Sequence, residues 1–472
     1  MQVRVRDFGA KGDGATLDTA AIRAAIAAAS AGDEIIFDNG HYLSFSIELK
    51  SHLHVMFEKD CVLEAADPER HHGQYEAAEP NPFDLYQDFG HSHWRNSLIY
   101  GIDVEDVTLS GPGRIDGRGL TREGPGSRWR KQAGEFPESM RGMSAAEMAV
   151  LSPHEAEMAG QGNKAIAFCR SRGVTIRDLS IINGGHFAVL ATGVDDLRLE
   201  ALTIDSNRDG LDIDGCRRVI VRGCRVNTPN DDAIVLKSSF ALGERRPCED
   251  VLIEDCAVSG FDLGTMIDGT FGRTQVFSPD RDRVTGRIKI GTESSGDFRR
   301  IKINRCLFER SRGLALETVD GGVIEDVEAT NLIMREVTTA PLFLRLGARL
   351  RAPDGASPGA IRRVVIRDVT AEDVLHDYSA LVVGMEGHLI EDVTLERVRL
   401  TYKGGGAAVE ALPPEKDDAY PEPSMFGRTP AWGLWTRHVR GLTLKDVEFS
   451  NEAPDARPQT LFEDTSLHAS LG

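Results

Sequence analysis

The sequence predicts an all-β chain folded as a single-stranded, right-handed parallel β-helix with an N-terminal capping helix. Three observations predict it. One pattern recurs along the chain: apolar-polar-apolar, two polar or small residues, then apolar-polar-apolar. It reads VTIRDLSI (174–181), LRLEALTI (197–204), VIVRGCRV (219–226), VLIEDCAV (251–258) and IKINRCLF (301–308), then VVIRDVTA (364–371), VTLERVRL (393–400) and LTLKDVEF (442–449). The period inside each unit is 2, a strand alternation that excludes helical repeats. The units start 23 and then 22 residues apart at 174, 197 and 219, and later steps lengthen to 32 and 50. A fixed step in this range marks a solenoid whose coils stack about 4.8 Å apart, so that equivalent positions form ladders.

The elements follow in order along one expected domain, 1–472. Residues 1–50 form the cap: Ala21, Ile22, Ala25 and Ile26 lie on one helix face, and the strand EIIFDNG follows. A helix there covers the open end of the solenoid, as stacked repeats require. Each repeat unit reads as two short strands around a sharp two-residue corner. VTLSGPGRIDG (107–117) is a looser early copy, and insertions interrupt the coils at 118–163 and 261–286. Insertions of this length on a regular scaffold are expected to wall a binding cleft, and the first is expected to be partly helical. The Pro-rich stretch 411–433 reads as an ordered loop lying over one face. The seven cysteines form no CxxC pair, and Cys224, Cys256 and Cys306 share one repeat position with Leu179 and Leu202. They read as buried small hydrophobes in a stack rather than as a disulfide or zinc framework.

A net charge of −19 argues against a nucleic-acid partner. No apolar run is long enough for a bilayer, so no membrane association is expected. The opening MQVRVRDFGAKGDG lacks the apolar core of a signal peptide, which predicts a cytoplasmic protein, or a periplasmic or secreted one whose leader has been removed. The composition sets no oligomeric state.

Chemistry concentrates in DSNRDGLDIDGCRRVIVRGCRVNTPNDD (205–232). Asp209 and Asp231 are 22 residues apart, one coil, so they should face each other on neighbouring strands, with Asp212 and Asp232 beside them. Carboxyls this close cannot all ionise cheaply, and one should keep its proton beside an ionised neighbour. That is the equipment for cleaving a glycosidic bond. The same oxygens could instead hold calcium, or serve as turn residues along a solenoid edge.

These motifs resemble those of glycoside hydrolase family 28, the polygalacturonase-like pectin hydrolases. VRDFGAKGDG…LDTAAI is similar to the cap of pectin-active β-helix proteins, and GPGRIDGRG (111–119) to a family strand motif. SNRDGLDID stands where the family has Asn-Thr-Asp-Gly-x-Asp, and NDDAIVLKS matches its Asp-Asp motif. The resemblance covers most of the chain and implies a pectin-lyase-like solenoid. It implies Asp231 as general acid, Asp209 and Asp232 as bases that activate water, Asn207 as a residue holding the site, and inversion of configuration. Asp212 matches the motif but is equally a strand-edge residue, and Asp214 carries less weight. His186, one coil before Asp209, is either a binding residue or a satisfied corner histidine.

Two family motifs are altered. Gly286 falls at the histidine of Gly-His-Gly, with Arg287 and Lys289 nearby. Ala315 and Glu317 replace the cations of Arg-Ile-Lys, which usually grip the substrate carboxylate. Either the bound sugar is neutral, with Glu317 on its hydroxyls, or cations from elsewhere replace the pair. Lys237, Arg287, Lys289, Arg345 and Arg349 are the candidates. Trp94, Trp129, Tyr420, Trp432 and Trp435 could stack on sugar rings.

The expectation is therefore an inverting, exo-acting glycoside hydrolase on pectin-type polysaccharide or its oligosaccharides, needing no cofactor and no metal. A polysaccharide lyase on the same fold and a non-catalytic carbohydrate-binding β-helix are the alternatives.

Overall fold

The computed structural model describes residues 1–83, 86–87, 90–121 and 159–468. Every ladder between its named strands is parallel, and the chain winds as a right-handed parallel β-helix. Ile22, Ala25 and Ile26 of the helix α1 (Thr19–Ala28) are buried in the apolar core, and Ala21 packs partly against it. That core runs as one cluster from Val3 to Leu442. The seven cysteines are buried free thiols.

A complete coil has three strands, not the two visible in each sequence unit. The unit LRLEALTI supplies Asp195–Glu200 and Thr203–Asp205. Between them Ala201 makes the corner at φ 52°, a left-handed conformation shared by Asp178, Gly223, Asp255 and Arg305 in equivalent corners. The third strand precedes the unit. It recurs in successive coils as β1 (Phe187–Thr192), β2 (Asp209–Asp214), β3 (Ile234–Ser238), β4 (Ile288–Ser294), β5 (Leu314–Thr318) and β6 (Leu342–Leu346). Every residue of these strands is buried, on both faces, so they show no polar alternation in the sequence.

Their outer face carries one column in register: Leu190, Asp212, Val235, Lys289, Ala315, Phe343. The charged middle lies between two apolar plates. On one side Trp94 and Ala241 pack on Tyr100, Ala167, Phe187 and Leu190. On the other, Ala419, Met425, Phe426 and Ala431 of the 411–433 stretch pack on Ala315, Phe343, Leu381 and Trp435. The second insertion is tied down beside the charged middle: Asp205 accepts from the backbone N–H groups of Gly264, Met266 and Ile267. The first insertion falls largely outside the described residues, as do its expected helix and Trp129.

Two glycines let the backbones close at this point. Gly210 N–H donates to the Asp232 carbonyl (3.0 Å), and an added Cβ would lie 2.4 Å from the Ala233 carbonyl oxygen. Gly286, at φ 52°, donates to the carbonyls of Thr228 and Asp231, and its Cβ would lie 2.1 Å from the Ser259 oxygen. A histidine, or any side chain, is therefore excluded where the resemblance implies one. Gly286→Ala should cost about 2–5 kcal/mol through left-handed strain and overlap. A clear drop of the thermal midpoint, followed by circular dichroism, is the expected result.

Candidate active site

The sheet brings Asp209, Asp231 and Asp232 together. Gly210 and Leu211 donate to the carbonyls of Asp232 and Ala233, and Ala233 donates in turn to that of Arg287 (2.9 Å). Three coils are thus tied through backbone at one edge. Oxygens of Asp209 and Asp231, with a ring nitrogen of His186, lie within 4.8 Å of one another. Asp231 pairs with Arg208 at 2.9 Å, and one of its oxygens accepts the Asp232 N–H (3.0 Å).

Each carboxyl has its own electrostatic setting. Asp209 is buried, and its Oδ1 accepts no hydrogen bond. Burial, then the charge of Asp231, hold its carboxyl well above the usual range, against the pull of Lys237. Asp232 goes the other way. Burial pushes it up, but Arg287 Nε at 2.6 Å and Lys289 Nζ at 3.2 Å outweigh that and hold it below the usual range. Along one edge of the sheet, one carboxyl is therefore pushed toward its protonated form and its neighbour toward its ionised form.

The cations are themselves clamped. Arg287 sends both terminal nitrogens to Glu422, at 2.6 and 3.0 Å. Lys289 also faces Glu317 at 3.5 Å and lies 5.7 Å from the Tyr420 ring centre. Thr292 Oγ1 donates to Glu317 Oε2 (3.1 Å), and burial pushes the Glu317 carboxyl up to about 7, against Lys289 and Arg287. Lys237 reaches from β3 to Asp212 (2.7 Å), Glu293 (3.6 Å) and the His91 ring. Burial favours its neutral form, but Asp212, Asp209 and Glu293 outweigh that and keep it a cation. Ligand atoms of His91, Asp209 and Asp212 are close enough to share an ion, and the Lys237 ammonium already supplies positive charge there.

Of the residues singled out from sequence, Asp209, Asp212, Asp231, Asp232, His186, Lys237, Arg287, Lys289 and Glu317 meet in this cluster. Asn207 lies in the turn before β2 with its Oδ1 buried and unbonded. Arg345 is elsewhere. It neighbours Glu317 in register, but its guanidinium donates to the carbonyls of Gly384, Glu415 and Lys416, so it fastens the 411–433 stretch instead of facing substrate. Arg349 is paired with Asp320, and Asp214 accepts from Ser239. Among the aromatics, Trp94 and Trp435 are core residues and Trp432 packs edge-on against Tyr402, which leaves Tyr420 at the site. Sequence reasoning missed Arg208, His91, Glu293 and Glu422. Arg208 and Glu422 carried a signal, by lying inside SNRDGLDID and the 411–433 stretch.

A parallel β-helix with a buried acid cluster on one outer face is the class this chain defines. Residues 2–56 match the family described as rhamnogalacturonase A/epimerase, pectate lyase-like. The chain is 23% identical over 389 residues to a probable polygalacturonase of Vitis vinifera, covering 78% of this chain and 68% of that protein. Its fold is similar to that of an exopolygalacturonase from Thermotoga maritima, with TM-score 0.66, 19% identity and coverage of 97% and 93% of the two chains. It is also similar to a family 28 exopolygalacturonase from Yersinia enterocolitica, with TM-score 0.67, 16% identity and coverage of 98% and 77%.

Proposed function

We propose that this chain is a glycoside hydrolase of family 28, exo-acting and inverting, on pectin-type polysaccharide or its oligosaccharides. The observation that carries it is the meeting of Asp209, Asp231 and Asp232 at one sheet edge, where burial favours the protonated form of Asp209 while Arg287 at 2.6 Å and Lys289 at 3.2 Å favour the ionised form of Asp232. Within this cluster Asp231, the most exposed of the three carboxyls, is the acid that protonates the leaving oxygen, and Asp232 is the base that activates water. The polygalacturonase named among its relatives and the exopolygalacturonases among its structural neighbours support the same reading. A lyase would need an accessible cation as base, whereas Lys237, Arg287 and Lys289 are buried among carboxylates and the more exposed Arg208 is paired with Asp231.

Oxygens of Asp209 and Asp231 approach within 4.8 Å, closer than the carboxyl separation of about 6.5–9.5 Å usual for inversion. We assign the attacking water to Asp232, whose ionised form is favoured by Arg287 and Lys289.

The test is hydrolysis of polygalacturonate, its oligomers, rhamnogalacturonan oligomers and neutral glycosides, with Asp231→Asn alongside. Single sugars released from chain ends are expected, with activity lowered about 10²–10⁴-fold in the variant. Proton NMR of the first-formed anomer should show inversion. Retention would make Asp209 a nucleophile, and undiminished turnover by Asp231→Asn would remove the hydrolase reading.

A further inference from the structure

One carboxylate of the cluster comes from outside the sheet. Glu422 lies in the 411–433 stretch, buried between two arginines that are themselves buried. Its Oε1 and Oε2 accept from Arg287 Nη2 and Nη1 at 2.6 and 3.0 Å, and Oε1 lies 3.2 Å from Arg312 Nη1. Arg312 is anchored in turn on the second insertion. It donates to both oxygens of Asp280 (2.9 and 3.0 Å) and from Nε to the Arg283 carbonyl (2.9 Å). Arg287 gives Asp232 a single hydrogen bond, from Nε to Oδ1 at 2.6 Å, and Lys289 Nζ stands 3.2 Å from Asp232 Oδ2. Charges therefore alternate outward from the sheet edge: Asp232, Arg287, Glu422, Arg312, Asp280.

We propose that Glu422 is a positioning residue for the reaction: it occupies the fork of Arg287 and so limits that arginine to one hydrogen bond on Asp232. The inference rests on the hydrolase reading, with Asp232 as the base that activates water, and adds to it a residue that acts through Arg287. A guanidinium set against a lone carboxylate favours two parallel N–H···O bonds. A carboxylate gripped that way has fewer lone pairs to offer a water, and one held by Nε alone keeps more of them free. Glu422 takes the two-pronged pairing for itself, so Asp232 is fixed in place without being capped. The 411–433 stretch can bring this carboxylate in because Ala419, Met425 and Phe426 seat on the apolar plate that contains Ala315. Ala315 stands at one of the two positions where the resemblance implies a cation, and a charged side chain there would have to be buried in that plate. The missing cation and the arriving carboxylate are thus two sides of one packing arrangement.

The test reads geometry and turnover separately. Glu422→Gln keeps the shape, and each arginine keeps one carboxylate, Asp232 for Arg287 and Asp280 for Arg312, so the variant should fold. Its crystal structure should show Arg287 donating to both oxygens of Asp232, where the native chain has one bond. On the oligosaccharide that the native chain cleaves, kcat should fall about 10²-fold through misplacement around the base, with KM little changed. Glu422→Asp keeps the charge on a shorter arm, and its kcat should lie between those of Glu422→Gln and the native chain. A single bond from Arg287 to Asp232 in Glu422→Gln, or a native kcat in that variant, would overturn the proposal. If the native chain cleaves nothing while Arg287 turns both nitrogens onto Asp232 in the variant, the hydrolase reading falls and the control of Asp232 by Glu422 stands.

Discussion

Asp232→Asn is expected to reduce turnover by about 10²–10⁴-fold and to lower stability at the same time. Both effects follow from one contact set. Asp232 is buried, with Arg287 Nε at 2.6 Å and Lys289 Nζ at 3.2 Å, and these cations hold it ionised despite burial. An amide at that position cannot accept a proton from water, so the base is lost. It also removes the charge that both cations face. Breaking a buried pair by deleting one partner costs about 3–5 kcal/mol when the survivor is left uncompensated. Here the cost should fall toward the lower end, because Arg287 keeps Glu422 and Lys289 keeps Glu317. Asp231→Asn should behave differently: Asp231 is partly exposed and its pair with Arg208 is weak, so turnover falls with little loss of stability. Initial rates and calorimetric midpoints on both variants check this. A fully stable, inactive Asp232→Asn would mean that Arg287 and Lys289 are held by their other partners alone.

The legible part of this molecule is the part with period 2. Units such as LRLEALTI have one face in the core and one in solvent, so burial writes itself into the alternation of the sequence. The third strand of each coil has no such signature. DGLDID and IVLKS are buried at every position, on one face by the core and on the other by the site and its walls. Sequence reasoning therefore found the aspartates through their one-coil spacing without recognising the strand that carries them. The partners were harder still. Glu422 and His91 reach the cluster from segments outside the repeat, and their approach is set by packing of Phe426 and Met425 on one plate and Trp94 on the other. No local pattern encodes that return. Arg345 shows the converse: register places it beside Glu317, yet its fork is taken by the carbonyls of the 411–433 stretch.

Glu317 should make the fold more stable in mild acid than at neutral pH. Its carboxyl is fully buried, and burial pushes it up to about 7 from an ordinary 4.5, against the pull of Lys289 and Arg287. Between those two values the folded chain holds a proton that the unfolded chain has released. The extra stability is fully present below about pH 4.5 and is lost as pH rises through about 7, with a total of the order of 3 kcal/mol. Asp209, also raised by burial, adds in the same direction. Asp232 and Glu293, held low by their cations, act oppositely, but their contribution is lost only in stronger acid. Glu317→Gln keeps the shape and an acceptor for Thr292 while removing the titration. The measurement is the difference in thermal midpoint between pH 5 and pH 8, in the native chain and in the variant. The native chain should lose stability over that interval, and the variant should lose distinctly less. Equal losses would mean that Glu317 is ionised across the whole range. Lys289 and Arg287 would then face a permanent anion, and the proton of this site would reside on Asp209 alone.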